Sequence, residues 1–467
     1  MKAFATMTNL MSHQRAAVEK VLPSRVGGLF MEMGTGKSLT AIELSRLRSA
    51  KIDKAVWFCP VTLKETVRHE IRKHTDCEDV YVFDDKTTAR NLPPARWYVV
   101  GIESMSSSNR IVAAVNQLVT DMTMVILDES SYIKGHRSRR TERLTFICGR
   151  AKYRLILTGT PISQGVVDLF AQMRFLSPKI LGYNSFYSFA ANHLEYSELY
   201  PGMIVRSRNL PYIAAKIQPY VYQVTKKECL DLPPKTYESR YFGMTEEQSH
   251  HYWLAKEEIL NSLDAEEFES ITIFRLFTAL QSIVSGFWNR EGKRLEFESK
   301  RPDMLLRTVA EIPEAEKVII FAKFQYDIDT VKVTLETEHG PGCVSVYDGR
   351  LSETQRHAEL QRFRKDARFF LATQSSGGHG LTLNEAHYVI FYNNGFKYSE
   401  RLQAEDRCHR IGQETKVTYI DIWCDAKIDD RIQSALARKG NAVRDFRDEV
   451  EKVKGKKAKL KELINSL

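Results

Sequence analysis

The sequence predicts an α/β protein built on two parallel β-sheets, with a helical insertion between them. Short continuous apolar runs separated by helical patterns are typical of buried parallel strands. Such runs form two groups along the chain, the first at residues 26–31, 55–59, 97–100, 124–127 and 155–157 and the second at residues 318–321, 343–347, 369–372, 387–392 and 417–423. Because ligands of parallel sheets bind beyond the carboxyl ends of the strands, the polar residues that follow the first group predict a ligand site at that edge.

Between the two groups, residues 245–300 carry apolar side chains at helical spacing and predict a helical linker or protrusion. Residues 232–235 read Leu-Pro-Pro-Lys and predict an extended break just before it. We therefore expect four parts, namely an N-terminal lobe at residues 1–244, the helical part at 245–300, a C-terminal lobe at 301–437 and a basic helical tail at 438–467. The tail is interpreted as a solvated helix, with a contact to a nucleic-acid backbone as the alternative.

The composition favours a soluble basic protein with a polyanionic partner. The chain has 467 residues, 43% of them hydrophobic, and a net charge of +9. That charge favours nucleic acid over a membrane surface as the partner, although many basic enzymes share it. Seven cysteines without a Cys-x-x-Cys pair indicate neither a disulfide framework nor a zinc site, which fits a reduced compartment. No apolar run has the length of a signal-peptide core or a membrane span, so we expect a cytoplasmic protein.

The stretch after the first apolar run has the pattern of a phosphate-binding loop between a strand and a helix. Glycines let backbone N–H groups approach an anion, and the helix N-terminus adds the positive end of its dipole. Lys37 would reach the β- and γ-phosphates, and the Ser38 hydroxyl would be a ligand of Mg²⁺. The strict pattern begins with Gly where this chain has Met31, so the match is to the shorter Gly-x-Gly-Lys-Ser core. The residues of the loop are Gly34, Thr35, Gly36, Lys37 and Ser38.

Two other strand ends of the first group carry residues suited to nucleotide chemistry. Asp128 and Glu129 follow a buried strand, where Asp128 would hold Mg²⁺ and Glu129 would orient and deprotonate an attacking water. Thr158 and Thr160 end the neighbouring strand, and their hydroxyls are suited to relay hydrogen bonds between the nucleotide site and a second domain.

The second group of strands is followed by a set of arginines with helical spacing. Gln403, Arg407 and Arg410 are four and three residues apart, which predicts that they share one face of a helix, with Asp406 placed to orient an arginine. Guanidinium groups presented to a phosphate on the first lobe would act as arginine fingers. An exposed basic helix face is the alternative.

Together these motifs resemble superfamily 2 helicases, and specifically the Swi/Snf-related branch of DNA translocases. Residues 31–38 resemble motif I of that family, 128–131 motif II, 157–161 motif III, 347–349 with Arg356 and Phe363 motif IVa, and 403–413 motif VI. Motif VI, which reads Gln-Ala-Glu-Asp-Arg-Cys-His-Arg-Ile-Gly-Gln, is the most specific match. Residues 232–235 followed by 244–248 resemble the exit from the first motor lobe, and the likeness extends over residues 10–430.

The resemblance implies two RecA-like lobes that use ATP and Mg²⁺ to move along DNA, most often double-stranded, as a minimal motor core of bacterial or viral type. It implies catalytic roles for Lys37, Asp128, Glu129, Arg407 and Arg410, and metal binding by Ser38 and Asp128. It implies nucleotide contacts by the loop residues 34–38, Gln14 and Gln403. It also implies backbone contacts to nucleic acid by Pro60, Thr62, Ser104, Thr373, Gly377, Gly378 and Gly380.

Several positions depart from the family pattern. Motif II reads Asp-Glu-Ser-Ser where a histidine usually stands fourth, and motif III ends in Gln164 where Asn is common. Motif V has Thr382 where Asn is expected, and residues 392–394 read Tyr-Asn-Asn in place of Trp-Asn-Pro. The lysine, glutamate and arginines that hydrolysis needs are all present.

Three other functions fit the sequence less well. The first is a strand-separating helicase that acts on single strands or RNA, which would need a wedge element. The second is a binding module that uses ATP only as a switch for a nucleic-acid clamp, and Glu129 with both arginines argues against it. The third is a structural basic protein.

Overall fold

The computed structural model describes residues 4–162, 165–197, 204–261, 270–374, 381–410, 412–453 and 457–467. The chain divides into two compact units, Met1–Asp231 and Leu232–Leu467. The backbone therefore passes from one unit to the other once, between Asp231 and Leu232.

The first unit is built on a seven-stranded sheet in which all pairings are parallel. The strands of this unit are β1 (Val26–Met31), β2 (Lys54–Cys59), β3 (Val80–Val82), β4 (Trp97–Gly101), β5 (Thr123–Asp128), β6 (Tyr153–Thr158), β7 (Leu194–Tyr196), β8 (Ile204–Ser207) and β9 (Val221–Val224). The order across the sheet is β3-β4-β2-β5-β6-β1-β9, and β7 and β8 form a separate antiparallel pair. All carboxyl ends of the seven strands consequently lie along one edge.

Helices cover both faces of this sheet, and each face has its own apolar core. Along β2, Val56 and Phe58 belong to one core while Trp57 and Cys59 belong to the other, as the alternation of side chains along a strand requires. The helices are α1 (Ser12–Val21), α2 (Lys37–Leu47), α3 (Lys64–His74), α4 (Ser104–Ser107), α5 (Asn109–Leu118), α6 (Arg139–Cys148), α7 (Val167–Leu176), α8 (Pro178–Leu181), α9 (Phe186–His193), α10 (Leu210–Ile217) and α11 (Lys226–Cys229), with 3₁₀ turns at Ser49–Lys51, Val61–Leu63 and Ser130–Ile133.

The second unit is built on a six-stranded sheet, again with parallel pairings throughout. Its strands are β10 (Lys235–Phe242), β11 (Phe287–Arg290), β12 (Lys293–Glu296), β13 (Val318–Ala322), β14 (Val344–Tyr347), β15 (Phe369–Thr373), β16 (Tyr388–Phe391) and β17 (Val417–Cys424). The order across the sheet is β10-β17-β16-β13-β15-β14, and β11 and β12 form an antiparallel hairpin.

Two long helices lead into this sheet, and the remaining helices flank it. They are α12 (Glu246–Asn261), α13 (Ser270–Ser285), α14 (Arg301–Ala310), α15 (Gln325–His339), α16 (Glu353–Lys365), α17 (Tyr398–Glu405), α18 (Lys427–Ala437), α19 (Ala442–Val453) and α20 (Lys457–Asn465). The predicted fold class, two parallel-sheet α/β lobes with a helical insertion between them, is confirmed. The insertion also contains the hairpin of β11 and β12, which the helical prediction for residues 245–300 did not include.

The second compact unit begins at Leu232, before the boundary that the sequence predicts after residue 244. Strand β10 pairs with β17 over its full length, from Lys235 opposite Val417 to Phe242 opposite Cys424. A strand that joins a sheet through a continuous ladder folds with that sheet, so the unit begins at Leu232.

The C-terminal tail was predicted to be a solvated helix, and this is correct for only one of its faces. Lys459 and Lys461 are exposed, whereas Phe446, Leu460 and Ile464 are at most 3% exposed and belong to the main core of the second unit. Apolar residues four apart share one helix face, so α19 and α20 are amphipathic helices docked on the unit.

All seven cysteines are free thiols. Cys59, Cys77, Cys148, Cys408 and Cys424 are buried, and Cys229 and Cys343 are half-buried. Within the described ranges, every helix is too short or too polar to cross a membrane.

Candidate nucleotide and nucleic-acid site

The glycine loop between β1 and α2 has the backbone conformation that glycine favours. Gly34 and Gly36 have φ angles of 78° and 84°, in the left-handed region where side chains are strained. The Thr35 hydroxyl donates to the Glu32 carbonyl at 2.7 Å and closes the turn. The sequence-predicted loop therefore joins a strand to a helix N-terminus, which is the geometry of a phosphate cradle.

Lys37 and Ser38 begin α2, directly after the loop. The Lys37 ammonium donates to the Met31 carbonyl at 2.8 Å and to the Glu32 carbonyl at 3.3 Å. These contacts keep the ammonium folded over the loop, where an anion held by the backbone N–H groups would meet it.

Two buried side chains of helix α1 contact the backbone of the loop. A His13 ring nitrogen, Nε2, lies 2.8 Å from the Thr35 carbonyl, and Gln14 Nε2 donates to the same carbonyl at 3.3 Å. Gln14 Oε1 accepts from the Met11 backbone N–H at 2.9 Å. Gln14, expected to contact a nucleotide, thus also holds the loop itself, and the sequence offered no indication of the His13 contact.

Asp128 ends β5, and Glu129 follows it with a φ of 51°. A left-handed glutamate is strained by about 1–3 kcal/mol, and such residues cluster at functional sites. Glu129 Oε1 accepts from the Ser131 hydroxyl at 2.7 Å and from the Thr158 hydroxyl at 3.3 Å. Ser131 stands where the family pattern has histidine, and here it fixes the Glu129 carboxylate.

The ends of β5, β6 and β1 are neighbours, so three predicted motifs meet. Asp128 is opposite Leu157 in the ladder, and Phe30 is opposite Thr158. A Cβ added to Gly159 would lie 3.1 Å from Met33 Cγ and 3.2 Å from the Met33 nitrogen, so this glycine permits close approach to the phosphate loop.

Of the two threonines predicted to relay hydrogen bonds, Thr158 makes such bonds through its hydroxyl, and Thr160 contributes its backbone N–H. The Thr160 backbone N–H donates to the Thr158 hydroxyl at 3.0 Å, and that hydroxyl in turn donates to Glu129. Any relay to a second domain stays a prediction.

A buried glutamine that sequence reasoning missed connects the second and third motifs. The Ser130 hydroxyl donates to Gln172 Oε1 at 2.6 Å, and Gln172 Nε2 donates to the Pro161 carbonyl at 2.8 Å. Gln172 lies on α7 and is fully buried. A glutamine inside an apolar helix pattern gave the only indication of this role, and it did not identify the partners.

The electrostatics of this edge suit a bound cation. The pKa of Asp128 is raised to about 6, chiefly by burial and also by the charge of the neighbouring Glu129, while Lys37 opposes the shift. Two adjacent carboxylates beside one ammonium leave negative charge that a divalent cation would balance. The oxygens of Asp128 and Ser38 are the ligand types that Mg²⁺ prefers.

The predicted nucleic-acid contacts of the first unit lie along the same edge of the sheet. Strands β2 and β4 are neighbours, and the 3₁₀ turn with the exposed Thr62 follows β2 while Ser104 follows β4. The Val61 backbone N–H donates to Glu103 Oε2 at 3.0 Å and joins the two turns. Pro60 itself is buried at the end of β2.

In the second unit, α17 ends at Glu405, so the prediction that Gln403, Arg407 and Arg410 share one helix face is wrong. The side chain of Arg407 turns back and donates from Nε to the Gln403 carbonyl at 3.0 Å, which caps the end of the helix. Arg407 Nη1 and Arg410 Nη1 both donate to the Leu381 carbonyl, at 3.4 and 3.0 Å. The two arginines are thus brought together in a turn after the helix, with Arg407 only 4% exposed and Arg410 half-buried.

Asp406, which was expected to orient an arginine, lies 3.8 Å from the ammonium of Lys235 on β10. Thr373 ends β15 and is half-buried. The remaining predicted contacts, Gly377, Gly378 and Gly380, lie outside the described residues, as does Gln164.

Comparison with known families gives two matches that together cover most of the chain. Residues 9–285 match the SNF2-related domain, and residues 300–412 match the helicase conserved C-terminal domain. The first match alone covers more than half of the chain.

Individual relatives are distant. The chain is 28% identical to an uncharacterized ATP-dependent helicase of Mycoplasma genitalium, over 68% of this chain and 30% of the relative. It is 24% identical to the human DNA annealing helicase and endonuclease ZRANB3, over 92% of this chain and 40% of the relative. The solved SWI2/SNF2 ATPase core of Sulfolobus solfataricus in complex with dsDNA aligns with all of this chain and 96% of its own at 21% identity and a TM-score of 0.44. The chain spans less than half the length of the curated relatives that it matches.

Proposed function

The chain belongs to the SNF2-related family, and on that basis we propose that it is an ATP-dependent motor that translocates along duplex DNA in the cytoplasm. The observation that carries the proposal is the meeting of three strand ends in the first unit. There the phosphate loop, the Asp128–Glu129 pair and Thr158 lie side by side, and Glu129 is fixed by two hydroxyls.

In this proposal the first unit binds and activates ATP. The N–H groups of residues 34–38 and the Lys37 ammonium hold the phosphates. Ser38 and Asp128 would hold Mg²⁺, which neutralises phosphate charge when bound. Glu129 orients the attacking water and accepts its proton, and the hydroxyls of Ser131 and Thr158 keep its carboxylate in place.

The second unit supplies the positive charge that hydrolysis needs in its transition state. Arg407 and Arg410 follow the same helix end and reach the same carbonyl, so one movement would carry both. Arginine fingers contribute about 10³- to 10⁵-fold in rate in phosphoryl-transfer enzymes. The greater exposure of Arg410 favours it as the group that contacts the phosphate.

Contacts to the phosphodiester backbone fit movement that ignores sequence. Thr62 and Ser104 are in adjacent turns of the first unit, and we expect them to contact one stretch of backbone, whereas Pro60 is buried beneath that surface. Thr373, Gly377, Gly378 and Gly380 would contact it from the second unit. The net charge of +9 supports a polyanionic partner.

The test is steady-state ATPase activity with no nucleic acid, blunt duplex DNA, single-stranded DNA and RNA. We expect duplex DNA to stimulate turnover most, and displacement of a triplex strand would then report movement. Stimulation chiefly by single strands or RNA, with unwinding of a forked duplex, would favour a strand-separating helicase instead. Nucleotide binding without turnover under all four conditions would favour an ATP-switched clamp.

The same assay tests the residue roles. Lys37→Ala and Glu129→Gln are expected to abolish turnover, because one loses the phosphate contact and the other the base. Arg410→Ala is expected to slow it by at least about 10³-fold, the lower limit for an arginine finger. Arg410→Ala with normal activity would rule out the finger assignment while leaving the roles of the first unit intact.

A further inference from the structure

The single covalent connection between the two units is a stiff segment. It runs from Asp231 into Leu232, and Pro233 and Pro234 follow. Proline fixes its own φ near −65° and restricts the residue before it to extended conformations. A displacement at Asp231 is therefore carried along this segment with little local bending. Residues 233–237 are called the crossing segment below.

The first contact of the crossing segment is with the turn that carries the arginines. His409 Nε2 lies 2.8 Å from the Pro233 carbonyl. Because a carbonyl only accepts, Nε2 carries the proton in this contact. His409 is 9% exposed and stands between Arg407 and Arg410 in the sequence.

The second contact is with the end of α17, through the buried carboxylate of Glu405. Lys235 Nζ lies 3.0 Å from Glu405 Oε2, and the Tyr237 hydroxyl donates to the same oxygen at 2.8 Å. Arg401 Nε donates to the other carboxylate oxygen at 2.9 Å. Burial on its own would raise the pKa of Glu405, but the charges of Arg401 and Lys235 and the hydrogen bonds from Lys235 and Tyr237 hold it below its ordinary value. The carboxylate therefore stays ionised. It links the crossing segment, through Lys235 and Tyr237, to Arg401 of α17.

Tyr419 on β17 completes the attachment. Its ring stacks on Tyr237 with centroids 5.4 Å apart and an interplanar angle of 22°. Its hydroxyl donates to the Glu405 backbone carbonyl at 2.8 Å, one of the last carbonyls of α17. The crossing segment is consequently attached to the helix end at both the side chain and the backbone of Glu405.

Both arginines lie in the turn that follows the end of α17. Arg407 Nε bonds the Gln403 carbonyl at 3.0 Å, two residues before Glu405, and Arg410 follows His409 directly. A shift of Glu405 or His409 therefore moves the turn in which the guanidinium groups are held.

We propose that Lys235, Tyr237 and His409 are positioning residues that set the arginine turn from the crossing segment. When the first unit moves, these three residues would move with the crossing segment and shift Arg407 and Arg410. The rate of ATP turnover would then depend on side chains that lie outside the phosphate loop. The inference rests on the proposed function, since it assigns a control element to the same hydrolysis.

The test compares Tyr237→Phe and Lys235→Met with Tyr241→Phe. Tyr237→Phe removes the hydroxyl and keeps the ring stack, and Lys235→Met removes the ammonium and keeps an unbranched stem. Tyr241 is a matched control on the same strand, because it is 56% exposed and its hydroxyl accepts from Gln433 at 3.0 Å. For each variant, kcat and KM for ATP are measured with saturating duplex DNA, together with the affinity for a fluorescent ATP analogue and the melting temperature.

We expect Tyr237→Phe and Lys235→Met to lower kcat about fivefold or more, with KM and nucleotide affinity within about twofold of the unsubstituted protein. Tyr241→Phe should match the unsubstituted protein, and Lys235→Arg, which keeps the charge, should recover most of the rate. A loss of kcat at unchanged melting temperature and affinity is what a purely structural contact would not produce.

Two results would overturn the inference and leave the proposed function standing. One is a kcat for Tyr237→Phe and Lys235→Met equal to that of Tyr241→Phe. The other is a loss of rate that follows the melting temperature in all variants, including Lys235→Arg. Absence of ATP turnover in the unsubstituted protein would overturn both the function and the inference.

Discussion

At the scale of single residues, Gly36 determines whether the phosphate loop can form. Its φ of 84° is one reason, and space is the other, because a Cβ there would lie 2.0 Å from Gln14 Nε2. Gln14 in turn is fixed by the Met11 N–H and the Thr35 carbonyl, so it has little room to move away. The conformation of the loop therefore depends on the lack of a side chain at Gly36 and on the buried amide of Gln14.

Gly36→Ala is expected to weaken nucleotide binding at least about tenfold, which corresponds to ~1.4 kcal/mol. The added methyl group has to displace Gln14 and to hold a strained φ, whose own cost is about 1 kcal/mol. Titration with a fluorescent ATP analogue measures the affinity. Gly182→Ala is the matched control, since Gly182 has a φ of 77° but nothing within 4 Å of the added carbon.

The control should lose some thermal stability and keep its nucleotide affinity. Equal affinities for Gly36→Ala and Gly182→Ala would show that the contact with Gln14 does not shape the loop.

The sequence pattern predicts those site residues whose position follows directly from the end of a buried strand. Lys37 and Asp128 were predictable because parallel strands align their carboxyl ends. Ser131 was visible only as a departure from the family pattern, and its bond to Glu129 required the left-handed turn at Glu129. Gln172 and His13 contact residues that are 42 and 22 positions away in the sequence. At such separations the spacing of residues does not predict which of them are in contact.

At the scale of elements, α19 and α20 show how a charged segment can still contribute to a core. Lys452, Lys459 and Lys461 are exposed, while Phe446, Val450 and Ile464 pack with α12, α13 and α18 in one apolar cluster. The Tyr252 hydroxyl on α12 also donates to the carbonyl of Leu467. The tail is thus a structural part of the second unit.

Phe446→Ala is expected to lower the free energy of unfolding of the second unit by about 3–5 kcal/mol. Phe446 is fully buried and its ring centroid is 5.2 Å from that of Phe277, so truncation leaves a cavity. Val333→Ala on α15 is the control, because Val333 is 65% exposed and its truncation should change stability by less than about 0.5 kcal/mol. Urea unfolding followed by circular dichroism measures both.

If Phe446→Ala and Val333→Ala have the same urea midpoint, the tail is not part of the folding unit and the solvated-helix prediction would be restored.

The central strands and the edge strand β14 were predicted to within two residues at both ends, whereas the edge strands β3, β9 and β10 were not predicted. Central strands read as continuous apolar runs, but β10 alternates half-buried and exposed residues and carries Glu238 and Arg240. An edge strand needs only one neighbour and one packed face, so its sequence resembles that of an exposed loop.

At the scale of the whole molecule, each apolar cluster lies entirely within one of the two units. The cores around Trp57 and Phe170 contain only residues before 232, and those around Phe277 and Phe321 only residues after it. A region with its own core and one covalent exit has the properties of an independent domain.

Fragments 1–231 and 232–467 are therefore each expected to unfold cooperatively when produced separately. Differential scanning calorimetry of each fragment should give one transition, and fragment 1–231 should bind the fluorescent ATP analogue without hydrolysing it. Lys37→Ala in that fragment is the control for specific binding. A fragment that lacks secondary structure by circular dichroism would show that its fold depends on the other unit.

The placement of the thiols makes this protein convenient for site-specific fluorescent labelling. Burial raises the pKa of Cys148 and Cys424 to about 12 and raises the pKa of Cys59 well above its ordinary value, so these groups present almost no thiolate to a maleimide dye. Cys229 and Cys343 are half-buried, each packed against an apolar core, and serine is the replacement closest in size to cysteine. One new surface cysteine in each unit would then accept a donor and an acceptor dye, and energy transfer between the dyes would report any change in the distance between the two units.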